Sequence, residues 1–89
     1  MKKKMNILEE ANKLVYGDRQ NAYAHPKINF ARAAQIAGVL NKKEYTAEEI
    51  ANIQFALKWS RQEHKHKRDN LVDMAGYIEV KARIIGEDE

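Results

Sequence analysis

The sequence predicts an all-α protein of four helices, with the third and fourth paired as an antiparallel hairpin. Three observations predict it. Apolar residues recur every three or four positions through most of the chain. Helix caps and stops punctuate the stretches between. No segment alternates apolar and polar residues over strand length between turn signals.

The first helix is read from "NILEEANKLVYG". Asn6 is placed to cap it, and Ile7, Leu8, Ala11, Leu14 and Val15 form its stripe. Gly17 suits the left-handed position that stops a helix. The second starts at His25-Pro26, because a proline in the first turn removes an N–H that would be unpaired there anyway. Phe30, Ala31, Ala34, Ala37 and Val39 or Leu40 continue it. Gly38 weakens its end, and "NKKEY" reads as the following loop.

The third helix has the clearest start. In "TAEE", Thr46 stands three residues before Glu49, the spacing of a capping box. Ile50, Ile53, Ala56 and Leu57 follow, with Phe55 and Trp59 beside them as core aromatics. "EHKHK" makes the turn. The fourth helix is capped by Asp69 or Asn70 and buries Leu71, Val72, Ala75, Ile78, Ala82 and Ile85; Gly86 ends it.

The chain has 89 residues, within one domain's range, and residues 1–5 and 87–89 are expected as mobile tails. It has no cysteine, which excludes disulfides and Cys-ligated zinc. No apolar run reaches the roughly 20 residues of a membrane span. The basic start runs into Glu9 and Glu10 rather than into a signal peptide's apolar core, so a cytoplasmic protein with no membrane partner is expected. The net charge of +3 permits an anionic partner without demanding one.

Two clusters carry the candidate chemistry. The hairpin brings Lys58 level with Asp73, and Arg61 level with Asp69 or Asn70. Lys58 and Arg61 share one helix face, and Asp69 and Asp73 share another. They are either salt bridges that fix the register or the floor of a ligand site. The second cluster is the junction "YGDRQNAYAHPKINF". It places Arg19, Asn21, His25, Lys27 and Asn29 around the start of the second helix, where free N–H groups favour a phosphate or carboxylate. Arg19 can clamp such a group, and Tyr16 and Tyr23 can stack on a base. The alternative is a structural clasp, with His25 as a helix cap. His64 and His66, in a basic turn, form no metal site.

The segments "ILEEANKLVYGDRQNAYAHPKINFARAA", "TAEEIANIQFALKWSR" and "RDNLVDMAGYIEV" resemble a family of small helical phage and prophage proteins. The resemblance covers most of the chain. It rests on Tyr16, Gly17, Asp18, Arg19, His25, Pro26, Asn29, Phe30, Lys58, Arg61, Asp69, Asp73, Gly76 and Tyr77. Ala24 departs from it, standing where a glycine is expected before the histidine. The resemblance implies a phage-encoded protein acting in the host cytoplasm and supplies no activity. More distantly, the helices look like MazG-type nucleotide pyrophosphohydrolases, which bind magnesium through Glu-x-x-Glu and Glu-x-x-Asp pairs. The matching places here are Glu49 with Asn52 and Asn70 with Asp73, so half the acids are missing.

The leading expectation is a protein that binds a nucleotide or another phosphorylated small molecule, without cofactor or metal. Its ligand-binding residues are Tyr16, Arg19, Asn21, Tyr23, His25, Lys27, Asn29, Lys58, Arg61, Asp69 and Asp73. One alternative binds and inhibits a host protein through Trp59 or Tyr77. Another is a reduced MazG-like pyrophosphohydrolase with Mg2+ on Glu48, Glu49, Asp69 and Asp73. Nucleic-acid binding through the basic turn ranks last. A homo-oligomer is expected in each case.

Overall fold

The computed structural model describes residues 4–89. Four helices make up the fold. The first, α1, runs as Ile7–Lys13, a wider π-type turn over Leu14–Asp18, and Arg19–Tyr23. α2 is Pro26–Asn41, α3 is Ala47–His64 and α4 is Arg68–Ile85. α3 and α4 form the expected antiparallel hairpin, turning over residues 65–67. α1 lies along α4, and α2 packs mainly on α3.

The local signals hold. Asn6 Oδ1 accepts from the Glu9 amide at 2.8 Å, and Glu9 returns the bond to the Asn6 amide. Thr46 and Glu49 do the same for α3, at 3.1 and 2.9 Å. Each box satisfies N–H groups that a helix leaves unpaired at its start. Gly86 ends α4 at φ 90°, a conformation that favours glycine. Gly38 is needed for space: a Cβ there would lie 2.8 Å from the Lys43 carbonyl oxygen, where the chain doubles back after α2.

Several expectations are corrected. Gly17 does not stop α1. The π-type turn absorbs it, with the Arg19 amide donating to Leu14 O five residues back, and the helix continues to Tyr23. The break comes at Ala24, whose φ of 73° and ψ of −178° lie in a region that only glycine visits freely. The strain there is on the order of 1–3 kcal/mol.

α4 starts at Arg68 with no side-chain cap of its own. Gln62, from α3, instead accepts from the Lys67 amide at 3.2 Å and meets the buried Asn70. Gln62 is thus the α3 side chain that bonds the start of α4. Near both ends of the described residues, backbone carbonyls meet arginines of α4. Met5 O accepts from Arg68 at 3.0 Å, and Glu89 O accepts from Arg83 at 2.9 and 3.0 Å. The part of the first tail at residues 1–3 lies outside the described residues.

The core is small. Val15, Ala51 and Val80 form its centre, with Phe30 and Ile84 packed against it. α4 buries Asn70, Val72, Gly76, Val80 and Arg83. Of the six residues expected inside this helix, Val72 alone is fully buried. Leu8, Val39, Leu40, Ile53, Leu57 and Trp59, also expected in the core, are exposed. The molecule is elongated, 52 × 32 × 22 Å, with a radius of gyration of 14.0 Å. A compact chain of this length has about 12 Å.

Candidate functional site

A cavity of about 370 Å3 opens where the end of α1, the start of α2 and the hairpin meet. Its apolar walls include Phe30, Ile50, Tyr77 and Val80, and Tyr23 and Pro26 stand on its α1–α2 side. Gln20, Asn29 and Gln54 supply amide groups, and Arg19 supplies the cation. Phe30 and Tyr77 meet edge to face, with centroids 6.4 Å apart. The sequence places these groups by period. Asn29 closes the first turn of α2 and Phe30 opens the second, and Ile50 and Gln54 are one turn apart on α3.

Arg19 is held from below. Its Nη2 lies 3.3 Å from Asp73 Oδ1, and Lys58 Nζ lies 2.9 Å from Asp73 Oδ2. Two cations thus share one carboxylate, so the trio keeps a net positive charge; of the three, Arg19 lines the cavity. The level expected for Lys58 and Asp73 is the one observed.

Of the other expected site residues, Tyr23 and Asn29 line the cavity. His25 caps α2: its Nδ1 accepts from the Lys27 amide at 3.0 Å, and its Nε2 lies 3.3 Å from Glu89 O. Both ring nitrogens are engaged within the chain, and Lys27 contributes its amide to that cap. Asn21, Arg61 and Asp69 are exposed and line no part of the cavity. Tyr16 points away from it. Its hydroxyl donates to Glu79, and the Arg83 guanidinium sits 4.3 Å over its ring. The hydrogen bond to Glu79, helped by burial, pushes the Tyr16 hydroxyl up to about 12.

The sequence reading did not include Gln20, Gln54 or Arg83 among the functional residues. Arg83 is 3% exposed and organises the back of the junction. It donates to the carbonyl of Val15, to Gln20 Oε1 and to Glu89 O. Its one advance signal is a charged residue at a helical spacing shared with Val72, Gly76 and Val80.

The acids of the magnesium alternative do not converge. Glu48 pairs with Lys81 at 3.5 Å, Glu49 is spent on the Thr46 cap, and Asp73 is held by two cations. Among the described residues no three His, Asp or Glu side chains are grouped to hold a metal ion. The donor set does not fit a two-metal triphosphate site, which needs several free carboxylates. No helix among the described residues is long and apolar enough to cross a membrane.

Fold and site thus define a small all-helical domain with an amide-lined, cation-edged cavity between its helices. The chain belongs to the family described as a domain of unknown function, DUF6378, whose model matches residues 6–85. It is similar to the Gene 55 protein of Mycobacterium phage D29, 36% identical over 83 residues. It is also similar to the Gene 55 protein of Mycobacterium phage L5, 34% identical over 88 residues. These matches cover 92% and 96% of this chain but 55% and 56% of the relatives, so the chain spans about half their length. No solved structure matches.

Proposed function

We propose that the chain binds a nucleotide or another phosphorylated small molecule in the cavity between α1, α2 and the hairpin. The observation that carries this reading is the meeting of three kinds of group in one space. Phe30, Tyr23 and Tyr77 offer ring faces and edges to a planar base. Gln20, Asn29 and Gln54 offer donors and acceptors for its rim. Arg19, backed by Lys58 across Asp73, offers a positive edge to a phosphate. The volume falls in the roughly 300–1,000 Å3 range of small-molecule sites.

The anion is placed on Arg19 and not on the start of α2, because His25 already occupies that helix end. Asp73 has a positioning role. It fixes the Arg19 guanidinium over the cavity while leaving the trio cationic.

The test is a thermal-shift panel of nucleoside mono-, di- and triphosphates and cyclic dinucleotides, with and without magnesium. A ligand at about 100 times its dissociation constant should stabilise the protein by roughly 2.7 kcal/mol. Arg19→Ala should abolish that shift while the ligand-free melting point moves little. No shift with any nucleotide class, or a shift that survives Arg19→Ala, would remove this reading.

A further inference from the structure

α4 carries a second apolar stripe, whose middle and last residues, Ile78 and Ile85, stand exposed among the described residues. Leu71, Ala75, Ile78, Ala82 and Ile85 follow one another at spacings of four, three, four and three residues. That is the repeat of about 3.5 residues by which one helix seats against another. Ile78 is 59% exposed and Ile85 53%, and Leu71, Ala75 and Ala82 are half-buried. Val80, which lines the cavity, lies about half a turn round the helix from this stripe, so the stripe faces away from the cavity.

The stripe is also symmetric in residue size. From Ile78 outwards in either direction it runs large, small, large. A two-fold axis through Ile78, perpendicular to the helix, sets Leu71 against Ile85 of a second copy. The same axis sets Ala75 against Ala82 and Ile78 against itself. The two alanine pairs let the helices approach closely, toward the lower end of the 8–10 Å range of helix packing. An isologous contact requires a self-complementary surface of this kind.

We infer that this face of α4 binds the same face of a second copy of this chain, antiparallel, in a two-fold dimer. The stripe spans about 21 Å at 1.5 Å per residue, and alone it buries less than the roughly 1,200 Å2 of a stable complex. The proposed dimer therefore also needs surface from the neighbouring hairpin. With Lys58 level with Asp73, Trp59 lies beside the Leu71 end of α4, and it is 52% exposed. The axis carries Trp59 toward the Ile85 end of the other copy. The flanking charges already have partners, so none is buried alone: Glu79 accepts from Tyr16, and Lys81 donates to Asn52 at 3.0 Å. Each copy keeps its cavity open on the outer side.

The chain has no cysteine, so single thiols report the geometry cleanly. Across such an axis the two Cα atoms of Ile78→Cys fall within disulfide reach, about 4.4–6.8 Å. Under mild oxidation it should link into a covalent dimer much faster than Ile36→Cys, a position 55% exposed on α2. Wild type should sediment as a dimer at a concentration of about 100 μM, where a micromolar interface is saturated. Ile78→Glu should sediment as a monomer with unchanged helical circular dichroism. The inference is overturned by a monomeric wild type, by equal linking rates at 78 and 36, or by a dimer that survives Ile78→Glu. A monomer would leave the face to a different protein. None of these outcomes bears on the nucleotide shift.

Discussion

The inward and outward faces of α4 differ in a direction that composition alone would reverse. The buried residues of α4 are Asn70, Val72, Gly76, Val80 and Arg83, with an asparagine, a glycine and an arginine among the five. The outward face has Leu71, Ala75, Ile78, Ala82 and Ile85, all apolar. By hydrophobicity the second belongs inside. The structure chooses the first because α1 must come close. Val15 packs at Gly76, where a Cβ would meet Val15 Cγ2 at 3.5 Å, and Arg83 reaches the Val15 carbonyl. The helix thus spends its small residue and its longest donor on a neighbour in the same chain. Its regular apolar seam is the face proposed to meet a second copy.

The largest expected effect separates the two faces directly. Arg83→Ala removes donors from the Val15 carbonyl, Gln20 and Glu89 in a site closed to water. It should destabilise the fold by about 2–4 kcal/mol, the range for losing charged hydrogen bonds at a buried group. Ile78→Ala, measured dilute enough to keep the chain monomeric, should cost about 0.5 kcal/mol or less, as exposed positions do. Chemical denaturation of both variants gives the ratio. Equal losses would mean that the faces do not differ in this way.

A smaller effect of opposite sign is expected at Gly76. A methyl group there lies at ordinary contact distance from Val15, and alanine is the better helix former by up to about 1 kcal/mol. Gly76→Ala should therefore raise the melting point slightly. Gly76→Leu should lower it, because the added atoms have to displace Val15. If both variants lower it equally, the approach of α1 is tighter than the geometry states.

How far the sequence could be read follows from the range of each signal. The Asn6 and Thr46 caps were legible because their partners lie three residues away. The level of Lys58 and Asp73 was legible because a short turn fixes a hairpin's register. The buried face of α4 was not. The helix has two stripes at helical spacing, and periodicity cannot say which one a distant segment will meet. Gly17 was misread for a related reason: a glycine can end a helix or pass through a widened turn, and only the packing of α1 on α4 decides. The cavity was half legible. Arg19, Tyr23 and Asn29 stood out in an unusual junction. Gln20 and Gln54 look like any solvent-facing amides until the fold brings them to one space.

The smallest expected effect lies at the edge between the two faces, and it has a pH signature. Tyr16 donates to Glu79 from above the Arg83 guanidinium, and its hydroxyl is pushed from 10.0 up to about 12 in the folded chain. The protonated form is the bonded one, so the sign is fixed. Below pH 10 the hydroxyl is protonated in both folded and unfolded chains, and the bond contributes in full. Between pH 10 and about 12 the unfolded chain loses the proton first, and that contribution drains away. Tyr16 is exposed, so solvent screening holds the loss to a few tenths of a kcal/mol, about the size of an exposed polar pair. Tyr16→Phe should lower the melting point slightly at pH 8 and converge with wild type near pH 12. A gap that stayed constant across this range would mean that the ring packed on Arg83, not the hydroxyl bonded to Glu79, is what ties α1 to the inward side of α4.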